Sequence, residues 1–373
     1  MSKTFKRSLL ILFAALAIIA VIKYGPNLIT PTTTIELAET DGISDGPYVF
    51  FNDESVDIKW ISNDSLHQQT VDQNQYIHIN EPDYKFKVAQ LKQHLQNIPT
   101  SFEGVNNLVV LSDIHGQYDL FIELLKANKV IDEAGNWSYN NGHLVIIGDA
   151  FDRGAKVSET LWHILKLTEQ AATQEGRVHY LLGNHDVMVL NADLRYIHEK
   201  YKTSEELTGL NYAQLFGKQT LMGQWLRACP VVIRINNILF NHAGLSMAMV
   251  QNNISMDDIN HTFAQSILDN NRDSIRASKE LSLYARSQGP IWYRGYFKDS
   301  LLSNASIDSI LHHFDAKQII VGHTSMERVE ALFNQRILAA DTSIKRGEKG
   351  ELLFIEDGKY YRAGLDGEKK LLW

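Results

Sequence analysis

The sequence predicts an α/β fold, and three observations support this prediction. From about residue 105, apolar runs typical of buried strands alternate with segments of helical spacing: Leu108–Leu111 precedes a predicted helix at Tyr118–Ala127, and Leu144–Ile147 precedes one from Val157 to about Thr173. Short glycine-containing polar motifs follow the apolar runs, as in open α/β sheets. The composition, 44% hydrophobic and 21% charged, is that of an ordinary globular protein.

The remaining elements continue this pattern. The middle of the chain, from about 186 to 288, looks largely helical, and Asn236-Asn237 is a plausible tight turn between two strands. Asp357-Gly358 indicates another hairpin in the C-terminal part of the chain. The further predicted strands are Val178–Leu182, Val231–Ile235, Ile238–Phe240, Ile319–Val321 and a group between Ile337 and Tyr361.

The N-terminal segment predicts export. Basic residues Lys3, Lys6 and Arg7 precede an apolar run from Leu9 to Ile22, which is the pattern of a signal peptide or signal anchor. The run is short for a spanning helix, which needs about 20 residues, so the sequence leaves cleavage and membrane anchoring through residues 9–22 both open. We expect a periplasmic protein, or one anchored to the inner membrane with its bulk facing the periplasm.

The chain divides into four predicted parts. Residues 1–26 form the signal peptide or anchor, and residues 27–46 form a linker. Residues 47–104 contain three short runs of β type, Tyr48–Phe51, Val56–Ile61 and Tyr76–Ile79, and are expected to form a small β-rich accessory region. Residues 105–373 form the main domain.

Charge and cysteine content exclude several classes of protein. The net charge of −8 argues against nucleic acid as the main partner. The single cysteine, Cys229, excludes an intrachain disulfide framework and a thiolate-cluster metal site. Cys229 is followed by Pro230 and an apolar strand instead of a glycine-rich cradle with a suitably spaced arginine, so it is expected to be a buried structural residue and not a nucleophile.

Five motifs place metal-capable side chains directly after predicted strands. Because the carboxyl ends of strands in an α/β sheet meet at one crevice, we expect the five loops to converge. Each motif is weak alone, but five consecutive loops that offer only Asp, Asn and His indicate a common site. The motifs are Ser112-Asp113-Ile114-His115-Gly116, Gly148-Asp149-Ala150-Phe151-Asp152-Arg153-Gly154, Gly183-Asn184-His185-Asp186, Asn241-His242-Ala243-Gly244 and Gly322-His323-Thr324.

These residue types predict two metal ions. Oxygen and imidazole ligands without thiolate suit Mn²⁺, Zn²⁺ or Fe, whereas so many histidines make Mg²⁺ less suitable. We assign Asp113, His115 and Asp149 to one ion. The second ion is assigned to Asp149, Asn184, His242 and His323, so that Asp149 bridges the pair. Such a pair can activate a hydroxide for direct in-line attack on phosphorus.

Three further residues complete the predicted chemistry. The leaving group needs a proton, and His185, next to Asn184, is the candidate general acid. Asp152 is expected to hold the imidazole of His185 in the correct tautomer. Arg153 is expected to bind the phosphate oxygens through its forked guanidinium.

The five motifs resemble those of the phosphoprotein phosphatase branch of the calcineurin-like metallophosphoesterases, over about residues 105–345. Within that branch, the sequence looks closest to the bacterial Shewanella-like protein phosphatases. The resemblance implies a four-layer sandwich of two mixed β-sheets flanked by helices, and the same metal-ligand assignments. It also suggests Arg294 as a second phosphate-binding residue and Asp341 as a residue behind the ligands.

The sequence also departs from the eukaryotic serine/threonine phosphatases of this branch. Ser112, Asp186 and Ala243 replace the Gly, Glu and Gly of those enzymes, and their C-terminal active-site loop has no counterpart. Members of the Shewanella-like group are associated with phosphotyrosine. The expected function is therefore that of a metal-dependent protein phosphatase, with phosphotyrosine favoured over phosphoserine and phosphothreonine.

Two alternatives stay open from the sequence. The first is a nucleotide or dinucleoside-polyphosphate phosphohydrolase, since related enzymes share the metal motifs; the pair Arg153 and Arg294 fits a phosphomonoester better. The second is a non-catalytic exported binding module. The complete set of predicted ligands, together with Asp152 and His185, argues against a degenerate site.

Overall fold

The structure is a computed structural model that describes residues 31–38, 42–95 and 98–373. The N-terminal apolar segment lies outside these residues, so export of the protein stays a prediction. Among the helices within the described ranges, none is long and apolar enough to cross a membrane.

The architecture centres on two six-stranded sheets. The first has the strand order β10 (Arg177–Tyr180), β9 (His143–Ile146), β8 (Asn107–Leu111), β16 (Leu352–Glu356), β17 (Lys359–Ala363), β18 (Lys370–Leu371). The second has the order β14 (Glu330–Leu332), β15 (Ile337–Ala339), β13 (Gln318–Val321), β12 (Ile238–Asn241), β11 (Val232–Ile235), β7 (Ser101–Phe102). Both sheets are mixed: in the first, β8, β9 and β10 run parallel, whereas β16 is antiparallel to β8. In the second, β12 is parallel to β13 and antiparallel to β11.

Alternating side chains on the strands separate two apolar cores. Leu108 and Val110 of β8 pack in a core that also contains Phe240 of β12 and Ile320 of β13, so this core lies between the two sheets. Their neighbours Val109 and Leu111 belong to the larger core, which the helices share. This period of two gives a sandwich with helices outside the sheets, and the predicted fold class is confirmed.

The helices follow the strands as expected. The predicted helices correspond to α2 (Tyr118–Ala127) and α3 (Val157–Ala172). The others are α1 (Val88–His94), α4 (Asn184–Leu190), α5 (Glu199–Thr208), α6 (Tyr212–Leu215), α7 (Leu221–Ala228), α8 (Met247–Gln251), α9 (Met256–Thr262), a π-helix (Phe263–Ile267), α10 (Arg272–Ala277), α11 (Lys279–Ala285), α12 (Gly295–Lys298), α13 (Asn304–His313) and a 3₁₀ turn (Ile344–Arg346).

Two smaller sheets precede the sandwich. One has the order β1 (Thr32–Ile35), β5 (Tyr76–Asn80), β6 (Asp83–Lys87), and the other the order β2 (Asp45–Phe51), β3 (Ser55–Ser62), β4 (Ser65–Asp72). β1 falls within residues 27–46, which the sequence predicted as a linker, and it pairs in parallel with β5. That range is therefore not a linker throughout, because three consecutive threonines and Ile35 form an edge strand in which Thr33 and Ile35 are buried.

A buried carboxylate of β2 joins the second of these small sheets to the main domain. Asp45 accepts hydrogen bonds from Tyr48 Oη (2.6 Å) and from Ser158 Oγ of α3 (2.7 Å). It also accepts one from Ser204 Oγ of α5 (2.5 Å). Trp162 of α3 donates through Nε1 to the carbonyl of Pro47 (3.1 Å). The N-terminal sheets therefore share their core with α3 and α5.

Replacing Asp45 with Ala is expected to destabilise the whole protein. The change removes the carboxylate acceptor of three buried hydroxyls, of which Ser204 Oγ keeps only a longer hydrogen bond to Lys200 O (3.3 Å). We expect this to cost about 3 kcal/mol in the free energy of unfolding. Urea unfolding followed by circular dichroism measures this. The exposed Asp53→Ala change on the same region is the control and should alter stability by less than about 0.5 kcal/mol. Equal midpoints for the two variants would contradict the shared core.

Candidate metal centre and active site

The five strand-end motifs come together at one edge of the sandwich. The loops after β8 and β9 are joined directly: Asp113 N donates to Gly148 O (3.1 Å) and His115 N donates to Asp149 O (2.9 Å). The loop after β13 joins the loop after β8, since His323 N donates to Asp113 Oδ2 (2.8 Å). The convergence expected from the sequence is therefore present in the structure.

Much of the backbone at this edge is left-handed. The φ angles are 55° at Asp113, 51° at His115, 57° at Asp149 and 63° at His323. Asp and His adopt this conformation more readily than most residues with a side chain. The sharp turns aim successive side chains into the same small space at the ends of the strands.

Asp149, His115 and His185 form one group of metal-capable side chains. Their ligand atoms lie within 4.8 Å of one another, and all three residues are buried. His115 Nε2 is 3.6 Å from Asp149 Oδ2 and 3.8 Å from Asp113 Oδ1. Asp113 therefore borders this group, and His185, expected only as an acid, lies within it.

Asp149, His242 and His323 form a second group, again with ligand atoms within 4.8 Å. His242 Nε2 is 3.2 Å from Asp149 Oδ2 and 3.0 Å from Asn184 Oδ1. Asp149 thus belongs to both groups, at the position that the sequence assigned to a bridging ligand.

Hydrogen bonds at the back of the rings prepare the histidines for a cation. His115 Nδ1 and His242 Nδ1 lie 2.6 Å and 2.8 Å from the carbonyl oxygens of Phe151 and Ile147, to which they donate. This orients each ring so that Nε2 faces the other predicted ligands. Within the described chain, Nε2 of His323 is buried without any hydrogen-bond partner. A buried polar atom without a partner costs free energy of folding. The Nε2 atoms of these rings are therefore suited to coordinate a bound cation.

Burial and neighbouring charges shift the pKa values of four predicted ligands in different directions. Burial lowers the pKa of His115 to about 3, and burial together with nearby His242 lowers the pKa of His323 to about 2. Both are therefore neutral, as metal ligation requires. Burial, with the charges of Asp341 and Asp149, raises the pKa of Asp113 to about 7. For His242, burial is outweighed by Asp149 and Asp113, and its pKa rises to about 10.

Asp186 joins the loop after β10 to the loop after β9. Its carboxylate accepts hydrogen bonds from the backbone N–H groups of Asp149 (2.9 Å), Ala150 (3.1 Å) and Gly183 (2.7 Å). Gly183 must be glycine here, since a Cβ would lie 2.1 Å from Asp149 Oδ1. The sequence predicted no specific role for Asp186, because its partners are mostly backbone groups from a distant loop.

His185 and Asp152 form the predicted pair. His185 Nδ1 is 2.5 Å from Asp152 Oδ2, and both residues are buried. Arg153 Nη2 lies 3.3 Å from His185 Nε2, and the Arg153 side chain is exposed. Burial lowers the pKa of His185, but Asp149 and Asp152 outweigh this effect and raise it overall.

Arg294 lies on the opposite flank, at the start of α12. Its Nη1 donates to His323 O (3.3 Å) and to Thr324 Oγ1 (3.1 Å), so the guanidinium is held beside the second group. Asp341 is fully buried behind the loops, where it accepts hydrogen bonds from Ser325 Oγ (2.6 Å) and Ser343 N (3.0 Å).

Two aromatic residues that the sequence did not assign stand beside the histidines. Tyr196 is 47% exposed, and its ring centroid is 5.3 Å from that of His185. The ring centroid of Trp292 is 5.7 Å from that of His323. Trp292 could have been found from the sequence, because it lies two residues before Arg294. Tyr196 could not, because it lies in an irregular segment with no strand or motif before it.

Cys229 is buried, and burial raises its pKa well above the ordinary value, as expected of an unreactive thiol.

Comparison with known proteins agrees with this geometry. The family described as calcineurin-like phosphoesterase matches residues 107–326. The chain is 27% identical over 265 residues to Shewanella-like protein phosphatase 1 of Plasmodium berghei, covering 68% of this chain and 69% of that protein. It is 31% identical over 103 residues to Shewanella-like protein phosphatase 2 of Arabidopsis thaliana, covering 28% and 26% of the two chains.

A solved structure covers nearly the whole chain. It is the cold-active protein-tyrosine phosphatase of a psychrophilic Shewanella species, which is 38% identical, with a TM-score of 0.83 over 89% of this chain and 100% of that one. The chain belongs to the calcineurin-like phosphoesterase family. Within that family it is a metallophosphatase related to the Shewanella-like protein phosphatases, so the resemblance found in the sequence is confirmed.

Proposed function

We propose that this metallophosphatase hydrolyses phosphomonoesters on proteins and favours phosphotyrosine. The observation that carries the proposal is the arrangement around the two groups of metal-capable side chains. Each group has an arginine and an aromatic ring beside it: Arg153 and Tyr196 adjoin His185, whereas Arg294 and Trp292 adjoin His323.

The aromatic rings supply a reason for the tyrosine preference. A phenyl ring gains about 0.5–1.5 kcal/mol from each favourable aromatic contact, beyond the burial of its area. The side chain of phosphothreonine offers no such ring. The name of the Shewanella relative, a protein-tyrosine phosphatase, supports the same preference.

Two cations, of manganese, zinc or iron, would be held by Asp113, His115, Asp149, Asn184, His242 and His323. When bound, they would supply Lewis-acid polarisation of the phosphoryl group and of an attacking water. The other roles fall to the protein. Arg153 and Arg294 grip the phosphate oxygens as hydrogen-bond forks. His185 gives its Nε2 proton to the leaving oxygen, while Asp152 accepts from Nδ1–H and keeps the ring oriented.

The test is phosphate release from two peptides that differ only in phosphotyrosine or phosphothreonine. We expect chelation to abolish release and added Mn²⁺ or Zn²⁺ to restore it. We expect kcat/KM to be about tenfold higher for phosphotyrosine, as two aromatic contacts would give. Tyr196→Ala removes one of the two aromatic contacts and should lower the preference to about threefold, while release from the phosphothreonyl peptide stays within about twofold.

The opposite results would be informative. Equal rates on the two peptides would overturn the tyrosine preference alone. If the metal-loaded protein releases phosphate from neither peptide but hydrolyses nucleotides or dinucleoside polyphosphates, the protein-phosphatase assignment fails and the first alternative replaces it. No hydrolysis of any phosphoester would favour a binding module.

A further inference from the structure

A groove with a volume of about 520 Å³ adjoins the candidate active site. Asn184 and Arg294 line it where it meets the metal-capable groups. Its apolar lining comes from Val187, Met188, Ile267, Ile275, Ile291 and Trp292. The groove is thus continuous with the place where a phosphate would bind, and it offers more surface than a phosphorylated side chain alone needs.

Three exposed arginines line the groove away from the metal-capable groups. Arg272 and Arg276 are four residues apart on α10 and therefore share one face of that helix, and Arg286 follows α11. We call this surface, with the apolar lining named above, the arginine groove. No carboxylate in the described parts of the chain lies within ion-pair distance of Arg272, Arg276 or Arg286.

The other charged groups of the lining do not neutralise these three. Asp193 is the acidic residue among them, and its carboxylate pairs with Arg195, which also lines the groove, at 2.6 Å. The chain as a whole carries a net charge of −8. A positive, partly apolar groove beside the active site of an acidic protein is a local feature that the average composition does not explain.

We propose that the arginine groove binds acidic residues that flank the phosphorylated residue in a peptide substrate. Guanidinium groups pair with carboxylates in a forked geometry, and the apolar lining accommodates neighbouring apolar side chains. The partner is thus an acidic phosphopeptide segment, with its phosphate at the metal centre and its carboxylates along α10. The inference rests on the proposed protein-phosphatase function and adds the sequence preference of the substrate.

The experiment compares three substrates: a phosphotyrosyl peptide with Asp and Glu flanks, the same peptide with Gln and Asn flanks, and phenyl phosphate. We expect kcat/KM of the wild type to be about tenfold higher for the acidic peptide than for the neutral one, as three exposed ion pairs would give. The difference should lie mainly in KM and shrink in about 0.5 M NaCl because exposed charges are screened.

Charge reversal locates the effect. The triple change Arg272→Glu, Arg276→Glu and Arg286→Glu should abolish the preference for the acidic peptide, while phenyl phosphate hydrolysis stays within about twofold. The matched control reverses three exposed lysines outside the groove: Lys129→Glu, Lys317→Glu and Lys359→Glu. This variant should keep the preference even though its net charge changes equally.

The outcomes separate this inference from the function beneath it. Equal kcat/KM of the wild type for the two peptides, or equal losses in the two triple variants, would overturn the arginine groove and leave the phosphatase proposal standing. Hydrolysis of phenyl phosphate without release from either peptide would overturn the protein-phosphatase proposal itself. Binding of single-stranded nucleic acid that is lost in the arginine variant would assign the groove to a different partner and contradict the inference.

Discussion

Asp149→Asn is expected to abolish tight metal binding and to lower kcat by about 10⁴-fold, because several kcal/mol of charge stabilisation at phosphorus depend on the cations. Asp149 is the side chain that belongs to both groups of metal-capable residues. The amide preserves the shape of the side chain and an oxygen that can accept from His185 N, which donates to Oδ1 at 2.8 Å. Only the charge and one oxygen ligand are removed.

Metal content and thermal stability measure this expectation. The wild type should retain two equivalents of Mn²⁺ or Zn²⁺ after gel filtration, and its Tm should rise with added metal because the cations bind the folded state. The Asp149→Asn variant should show neither property, whereas Asp53→Ala should behave as wild type. Two equivalents retained by the Asp149→Asn variant would contradict a bridging role.

His185→Ala is expected to lower kcat by about 10³-fold for phenyl phosphate and to leave metal content unchanged, since general-acid catalysis contributes about 10²–10⁴-fold. The loss should be smaller for p-nitrophenyl phosphate, because its leaving group needs less protonation. Equal losses for the two substrates would exclude proton donation by His185. If the His185→Ala variant loses metal, His185 is a metal ligand. Its position beside His115 and Asp149 makes this a specific alternative.

The pH dependence supplies a second measurement on the same pair. The acid must be protonated, so kcat should fall as pH rises through the pKa of His185, which Asp149 and Asp152 raise against the effect of burial. Asp152→Asn removes one of the negative charges and so lowers that pKa. The alkaline limb of the kcat profile should therefore move to lower pH in this variant, and an unmoved limb would contradict the pairing.

Much of the fold was predictable because most strands of the main domain carry their own signal. Buried runs such as Leu108–Leu111 are apolar throughout, and the helix at Tyr118–Ala127 has clear apolar spacing. β4 was not predicted, since seven of its eight residues are exposed and its polar sequence has no alternation. Its strand conformation comes from pairing with β3 along its whole length.

The candidate site also contains residues that the sequence predicted and residues that it did not. Residues that directly follow strands were predictable, because the topology brings strand ends together whatever the details of the loops. The position of His185 within a metal-capable group was not, since it depends on the ring orientation set by Asp152. Nor were Tyr196 and the arginine groove, which come from irregular segments and short helices whose placement only tertiary packing determines.

The left-handed backbone at the site has a cost in conformational free energy. Six assigned residues have positive φ: Asp113, His115, Asp149, Asp152, Arg153 and His323. At roughly 1 kcal/mol each, their conformations cost on the order of 6 kcal/mol, similar to the net stability of a small domain. Glycine would relieve that cost but would delete the chemistry. A reactive centre of this design therefore requires a surrounding framework large enough to outweigh this cost.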